Sequence, residues 1–169
     1  MLIDASFFTR SPRHILNSAM GTLPNPNAME VRRAIEDYIA SHQEEFLCSM
    51  LGNHAGSRLN AYLVCKDEDE KATTCESFEA VAEELRGSFA DYVFFHILSI
   101  ANEQAKITGL VRLKTPDAYV SPLNRQIDSW NRMVERNRRI VARWQTDGFP
   151  MSGIEVSNAM LVKINPLGI

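Results

Sequence analysis

The chain has 169 residues, of which 45% are hydrophobic and 23% charged, with a formal net charge of −3. That is the profile of one ordinary globular domain with enough chain to bury a core, and it excludes a disordered polypeptide. The slight net acidity gives total charge no part in attracting nucleic acid, so the layout of charge matters more than its sum. No apolar run reaches the ~18 residues of a membrane span, and Met1 to Arg10 lacks the basic start and apolar stretch of a secretory signal. Cys48, Cys65 and Cys75 are an odd number without close pairing, expected as reduced thiols in a cytoplasmic setting.

The pattern predicts a single mainly α domain, a bundle of about four to five helices with a projecting loop or short β segment and extended arms. Its parts are an N-terminal arm (1–27), a helical core (28–146) with a loop at 108–122, and a C-terminal arm (147–169). The first arm opens with a β-like piece, Leu2 to Phe8, passes Ser11-Pro12 and a weak helical turn around His14 to Met20, and ends in Gly21-Thr-Leu-Pro-Asn-Pro-Asn27. Each proline disfavours the helical region at the residue before it, so this end should be extended. Phe7, Phe8, Ile15, Leu16 and Met20 are too apolar for a free tail; they lie on this domain or on a neighbouring subunit.

A first long helix is expected from Asn27, an N-cap residue with Glu30 closing a capping box. Val31, Ile35, Tyr38, Ile39, Phe46, Leu47, Met50 and Leu51 trace its buried stripe, and Gly52 ends it. A shorter helix over about Ser57 to Cys65 buries Leu59, Tyr62 and Leu63. Asp67, Glu68, Asp69 and Glu70 then form an acidic turn, extended by Glu76, Glu79, Glu83 and Glu84.

The central helix runs from Phe78 to Lys106. Phe78, Val81, Ala82, Leu85, Phe89, Tyr92, Val93, His96, Ile97 and Ile100 recur at three-four spacing, the mark of one wide buried face. Phe94, Phe95 and Leu98 flank that stripe and imply cover on more than one side. Gly87-Ser88 leaves two options, a bent helix or two helices with Ser88 as a cap. Thr108-Gly109 ends it. Leu110 to Thr115 alternates weakly, as a short strand would, and the stretch from Pro116 to Pro122 projects as a loop.

The last helix starts after Ser121-Pro122. Ile127, Trp130, Val134, Asn137, Val141 and Trp144 repeat as a heptad-like seam broken once by Asn137. Arg125, Arg132, Arg136, Arg138, Arg139 and Arg143 occupy its other faces, and Asp147-Gly148 stops it. Phe149 to Ile169 forms the second arm, too apolar to be loose, with a strand expected over Ala159 to Ile164.

Catalytic chemistry finds little support. His14, His42, His54 and His96 form no H-x-x-x-H or H-E-x-x-H pattern, the cysteines form no C-x-x-C, and no phosphate-binding glycine loop or G-x-S-x-G is present. His96 reads as a hydrogen-bonded core histidine, and Trp130 as core. A Cys48 nucleophile with His42 or His54 is the bare form of an enzyme hypothesis. No enzyme activity, cofactor or metal is expected.

The basic last helix has three readings: a solvated face, a phosphate-binding face, or one half of a head-to-tail contact with the acidic patch Asp67 to Glu84. Contacts of the last kind close into rings, and arms that cross to a neighbour would tie such a ring together; arms that wrap their own core are the alternative. The candidate interface residues are Asp67, Glu68, Asp69 and Glu70, then Leu110, Arg112, Lys114 and Tyr119, then Arg136, Arg138, Arg139 and Arg143.

Phe89-Ala-Asp-Tyr-Val-Phe-Phe-His96, Thr108-Gly109-Leu-Val, the Ser121-Pro loop and Ile127-Asp-Ser-Trp-Asn-Arg-Met-Val-Glu-Arg-Asn137 resemble small proteins of tailed phages and prophages of Bacteroides-type bacteria. So does the ending Ile164-Asn-Pro-Leu-Gly-Ile169. Those proteins look like head–tail connector subunits, also called head-completion or adaptor proteins, and the likeness spans roughly Val31 to Ile169. It implies a helical subunit in a homo-oligomeric ring at the neck of the virion, assembled in the host cytoplasm, touching portal and tail-side proteins. DNA would pass its lumen without sequence readout, and no membrane is involved. It also implies that the segment from Leu110 to Ser121 reaches the neighbouring ring; no catalytic residue is carried over. The runner-up is a cytoplasmic helical module that binds protein or nucleic acid through the basic face of the last helix.

Overall fold

Two long amphipathic helices that must each bury an apolar stripe find each other, and their seam is the spine of the molecule. The computed structural model describes residues 1–15, 18, 26–65, 76–108 and 122–165. Among them are four α-helices, α1 (Pro26–Leu51), α2 (Asn53–Val64), α3 (Glu76–Thr108) and α4 (Pro122–Asp147), and 3-10 turns at Ala5–Phe8 and Asn158–Leu161. The protein is a helical bundle. α3 packs most extensively on α4, while α1 and α2 form a hairpin against its other side.

α3 runs unbroken through Gly87-Ser88. Its central stripe from Phe78 to Val93 is buried, as are Phe94 and Leu98 on the flank. Burial then fades: His96 and Ile97 are half-buried and Ile100 is 37% exposed. Glycine at position 87 makes room rather than a bend. A Cβ there would lie 3.2 Å from Nη1 of Arg136, whose guanidinium lies against the helix at this point. Ser88 caps nothing; it is buried, and its hydroxyl donates to Asn137 Oδ1 on α4.

α1 begins at Pro26, a residue before the expected cap at Asn27, because a fixed proline φ suits the first helical turn. α2 starts at Asn53 rather than near Ser57. Gly56 N–H bonds the Gly52 carbonyl at 2.8 Å, so the helical ladder is already running there. Gly56 also lies directly on α1. A Cβ would sit 2.6 Å from the Cys48 backbone, a closeness no other residue permits.

Neither expected arm strand forms among the described residues. Leu2 to Phe8 instead enters the core, with Leu2, Ile3, Ala5 and Phe8 buried. Leu2 N–H donates to Gln43 Oε1 at 2.6 Å, and Asp4 caps the 3-10 turn by accepting from Ser6 N–H at 2.7 Å. The Ser6 hydrogen bonds hold the Asp4 carboxyl below its ordinary value. A strand needs a neighbouring strand; here helices surround the arm, and side chains satisfy its backbone instead.

The C-terminal arm shows the same substitution. Glu155 and Ser157 N–H groups donate to the carbonyls of Leu51 and Ser49 at 3.2 and 2.8 Å, capping the last turn of α1. The arm then lies along α4: the Met160, Leu161, Val162 and Ile164 carbonyls accept from Asn137, Arg138, Trp130 and Asn131 at 2.8–2.9 Å. Met160 is buried. Of the two options left open for the arms, their described parts take the one of folding onto their own chain. The expected strand at Leu110 to Thr115, the projecting loop, the acidic turn and most of the turn from His14 to Met20 lie outside the described residues.

Candidate functional site: the arginine seam and the histidine pair

Arg125, Ser129, Arg132, Arg136 and Arg143 recur at spacings that keep them on one edge of α4, beside its apolar seam. That edge meets two carboxylates two turns apart on α3, Glu84 and Asp91. Because the helices run antiparallel, Arg143 pairs with Glu84 at 3.4 Å while Arg132 and Arg136 pair with Asp91 at 3.1 and 3.2 Å. This is the logic of flanking charges in a coiled coil, setting the register of the apolar contact. Asn137 helps from within the seam. It is buried and bonded to both Ser88 and the Met160 carbonyl, so the one polar interruption ties α3, α4 and the C-terminal arm at a single point.

Asp91 is the densest polar node. Its side chain is 0% exposed, and Arg13 from the N-terminal arm adds a third guanidinium at 3.0 Å. Ser129 Oγ donates to the Asp91 backbone carbonyl at 2.8 Å. Arg125 closes the edge by donating to the His14 carbonyl at 3.3 Å and lying 5.3 Å over the Phe94 ring. A buried carboxylate without partners would cost several kcal/mol, and the three guanidiniums offset that cost by giving its oxygens charge-assisted hydrogen bonds.

Beside this seam, His42 of α1 and His96 of α3 stand with ring centroids 4.4 Å apart. Tyr92, Phe95 and Trp130 complete the cluster, with Tyr92 4.5 Å and Phe95 5.3 Å from the His96 ring and Phe95 4.9 Å from Trp130. His42 Nδ1 lies 3.0 Å from the Tyr38 carbonyl, which fits a proton on that nitrogen. His96 is not the hydrogen-bonded core histidine expected: it is half-buried, and its buried Nε2 has no partner among the described residues. Burial and the nearby His42 push its pKa down, with Glu45 opposing. Burial and Glu45 push the Tyr92 hydroxyl up to about 12.

The seam decides the fate of four candidate interface residues. Arg136 and Arg143 are engaged within the chain, and Arg138 Nε donates to the Leu161 carbonyl at 2.8 Å. Arg139 stays exposed, and among the described residues it bonds back along its own helix, to the Glu135 carbonyl at 3.2 Å. Asp67, Glu68, Asp69, Glu70, Leu110, Arg112, Lys114 and Tyr119 lie outside the described residues. Cys48 finds Ser57 Oγ at 3.7 Å and the Asn53 carbonyl at 3.9 Å rather than a histidine. Among the described residues no group of three or more His, Cys, Asp or Glu is arranged to hold a metal, and no helix is long and apolar enough to cross a membrane.

Sequence reasoning missed Asp91 and Arg13. The signal for Asp91 was present: a lone acid in the apolar run Phe89-Ala-Asp-Tyr-Val-Phe-Phe, on a helix otherwise buried there. Arg13 carried none, since its partner lies far along the chain. A scan against family models, a search of curated proteins and a search of solved structures each found no match.

Proposed function

We propose that this chain is a structural subunit that works by assembly, a head–tail connector of a phage or prophage neck that forms a ring between portal and tail. The reading rests on the connector resemblance. One observation supports it: the two stretches that carry most of that resemblance, Phe89–His96 and Ile127–Asn137, face each other across the α3–α4 seam. Asp91 meets Ser129, Arg132 and Arg136, and Phe95 meets Trp130. These two stretches of the resemblance pack against each other and fix one helix pair.

Because the described parts of both arms are engaged on their own chain, ring contacts fall to the outer helix surfaces and the connection between α3 and α4. Ile100 and Leu123, 37% and 48% exposed, offer apolar area beside that connection. Tagged chain expressed during prophage induction should appear by gold labelling at the neck of released particles. Label confined to the cytoplasm, with unlabelled particles, would count against the connector. Salt-dependent DNA binding lost in Arg138→Glu with Arg139→Glu would favour the basic-face module instead.

A further inference from the structure

We infer that the outer edge of Arg132 and Arg136, above buried Asp91, is a seat for one phosphate-class oxyanion. Three guanidinium charges converge on one carboxylate, so two positive charges are left uncompensated at this node. The other carboxylates of the seam are taken: Glu84 by Arg143, Glu83 by Arg86 and Glu135 by Lys163. Asp128, one turn before Arg132, is exposed.

The donors point the same way. Asp91 receives Nη1 of Arg13, Nε and Nη2 of Arg132, and Nε of Arg136. Arg136 thus spends only its Nε, and its two Nη groups bond no acceptor among the described residues. Its side chain is 46% exposed and that of Arg132 is 30% exposed, whereas Arg13 is 16% exposed and serves to close the base. Two guanidiniums one helical turn apart, locked from below by a shared buried carboxylate, are oriented before any ligand arrives. A planar fork so held matches two oxygens of a tetrahedral anion, and the anion relieves the repulsion between the arginines. Gly87 contributes clearance, since it leaves the Arg136 guanidinium room against α3.

The oxyanion can be free phosphate or an esterified phosphate on a nucleic-acid backbone, and one experiment separates them. The full chain is melted in rising inorganic phosphate, in sodium chloride of matched ionic strength, and with a short DNA duplex of equal phosphate concentration. A saturable rise in Tm with inorganic phosphate beyond that in chloride is expected. It should survive Arg139→Gln and vanish in Arg136→Gln. Response to phosphate alone assigns the free ion; response to both, with the duplex effect fading in salt, assigns the esterified form. Arg136→Lys keeps the charge and the ion pair with Asp91 but loses the fork, so its phosphate affinity should drop about tenfold even if Arg136→Gln folds poorly. No saturable phosphate effect, or an equal rise in wild type, Arg136→Lys and Arg139→Gln, overturns the site. A ring that binds no phosphate would overturn this inference and leave the connector reading intact.

Discussion

Asp91 shows how one side chain can hold three parts of a chain together. It joins α3 to α4 through Arg132 and Arg136 and to the N-terminal arm through Arg13. Asp91→Asn removes the charge and leaves three guanidiniums crowded together. It should cost about 3–5 kcal/mol in urea denaturation, the usual penalty for breaking a buried ion network from one side. The histidine pair makes a second claim at this scale. His96 has a folded pKa below the ordinary imidazole value of ~6.5, so the unfolded chain binds its proton first. Its contribution is therefore full above that value and is lost as pH falls towards the folded pKa. Stability measured at pH 8 and at pH 5.5 should fall in wild type, and the drop should be smaller in His96→Gln. An equal drop in both would show that other groups set the acid sensitivity.

At the scale of elements, two glycines in helices ask for opposite outcomes from one substitution. In Gly56→Ala the new methyl meets the Cys48 backbone at 2.6 Å, which cannot step aside. Overpacking of this kind should cost about 1–3 kcal/mol and pry α2 from α1. In Gly87→Ala the methyl meets only the end of a long arginine side chain at 3.2 Å. Arg136 Nη1 need move by only a few tenths of an ångström, with Nε still on Asp91, so the helix-propensity gain of about 1 kcal/mol should dominate and raise Tm. Thermal melts of the two variants decide the pair, and a destabilised Gly87→Ala would mean that the Arg136 position is held more rigidly than its exposure implies.

The elements also show what could be read from residues alone. The helices and the stop at Thr108 were legible because three-four periodicity and punctuation by Pro and Gly are local signals. The α4 seam was legible for the same reason, including the odd Asn137. What the arms do was not. Leu2 to Phe8 and Ala159 to Ile164 have strand-like composition, but whether such a stretch finds a strand partner is a tertiary fact, and here helices supply its hydrogen bonds. Charge pairing is hidden in a similar way. A row of arginines looks the same in sequence whether it faces water or a neighbouring helix. Only the matching positions of Glu84 and Asp91 on α3 reveal the pairing.

For the whole molecule, the seam and the engaged arms shape how assembly would work. Arg136, Arg138 and Arg143 are exposed but each spends a donor on another part of its own chain, so a head-to-tail contact built on the full basic face is weaker than the residue pattern suggests; the printed bond of Arg139 stays within its own helix. On the proposed connector reading, assembly would depend on apolar outer surface such as Leu123, 48% exposed, more than on charge, and a Leu123→Asp variant should fold normally yet lose ring formation in sizing chromatography. The most direct test is the mass of the full chain by multi-angle light scattering, alone and mixed with its cognate portal. A species of ring mass that forms with the portal, and stays intact when salt is raised, is what a connector held by apolar contacts must give. A chain that remains a monomer and never co-elutes with the portal would contradict it.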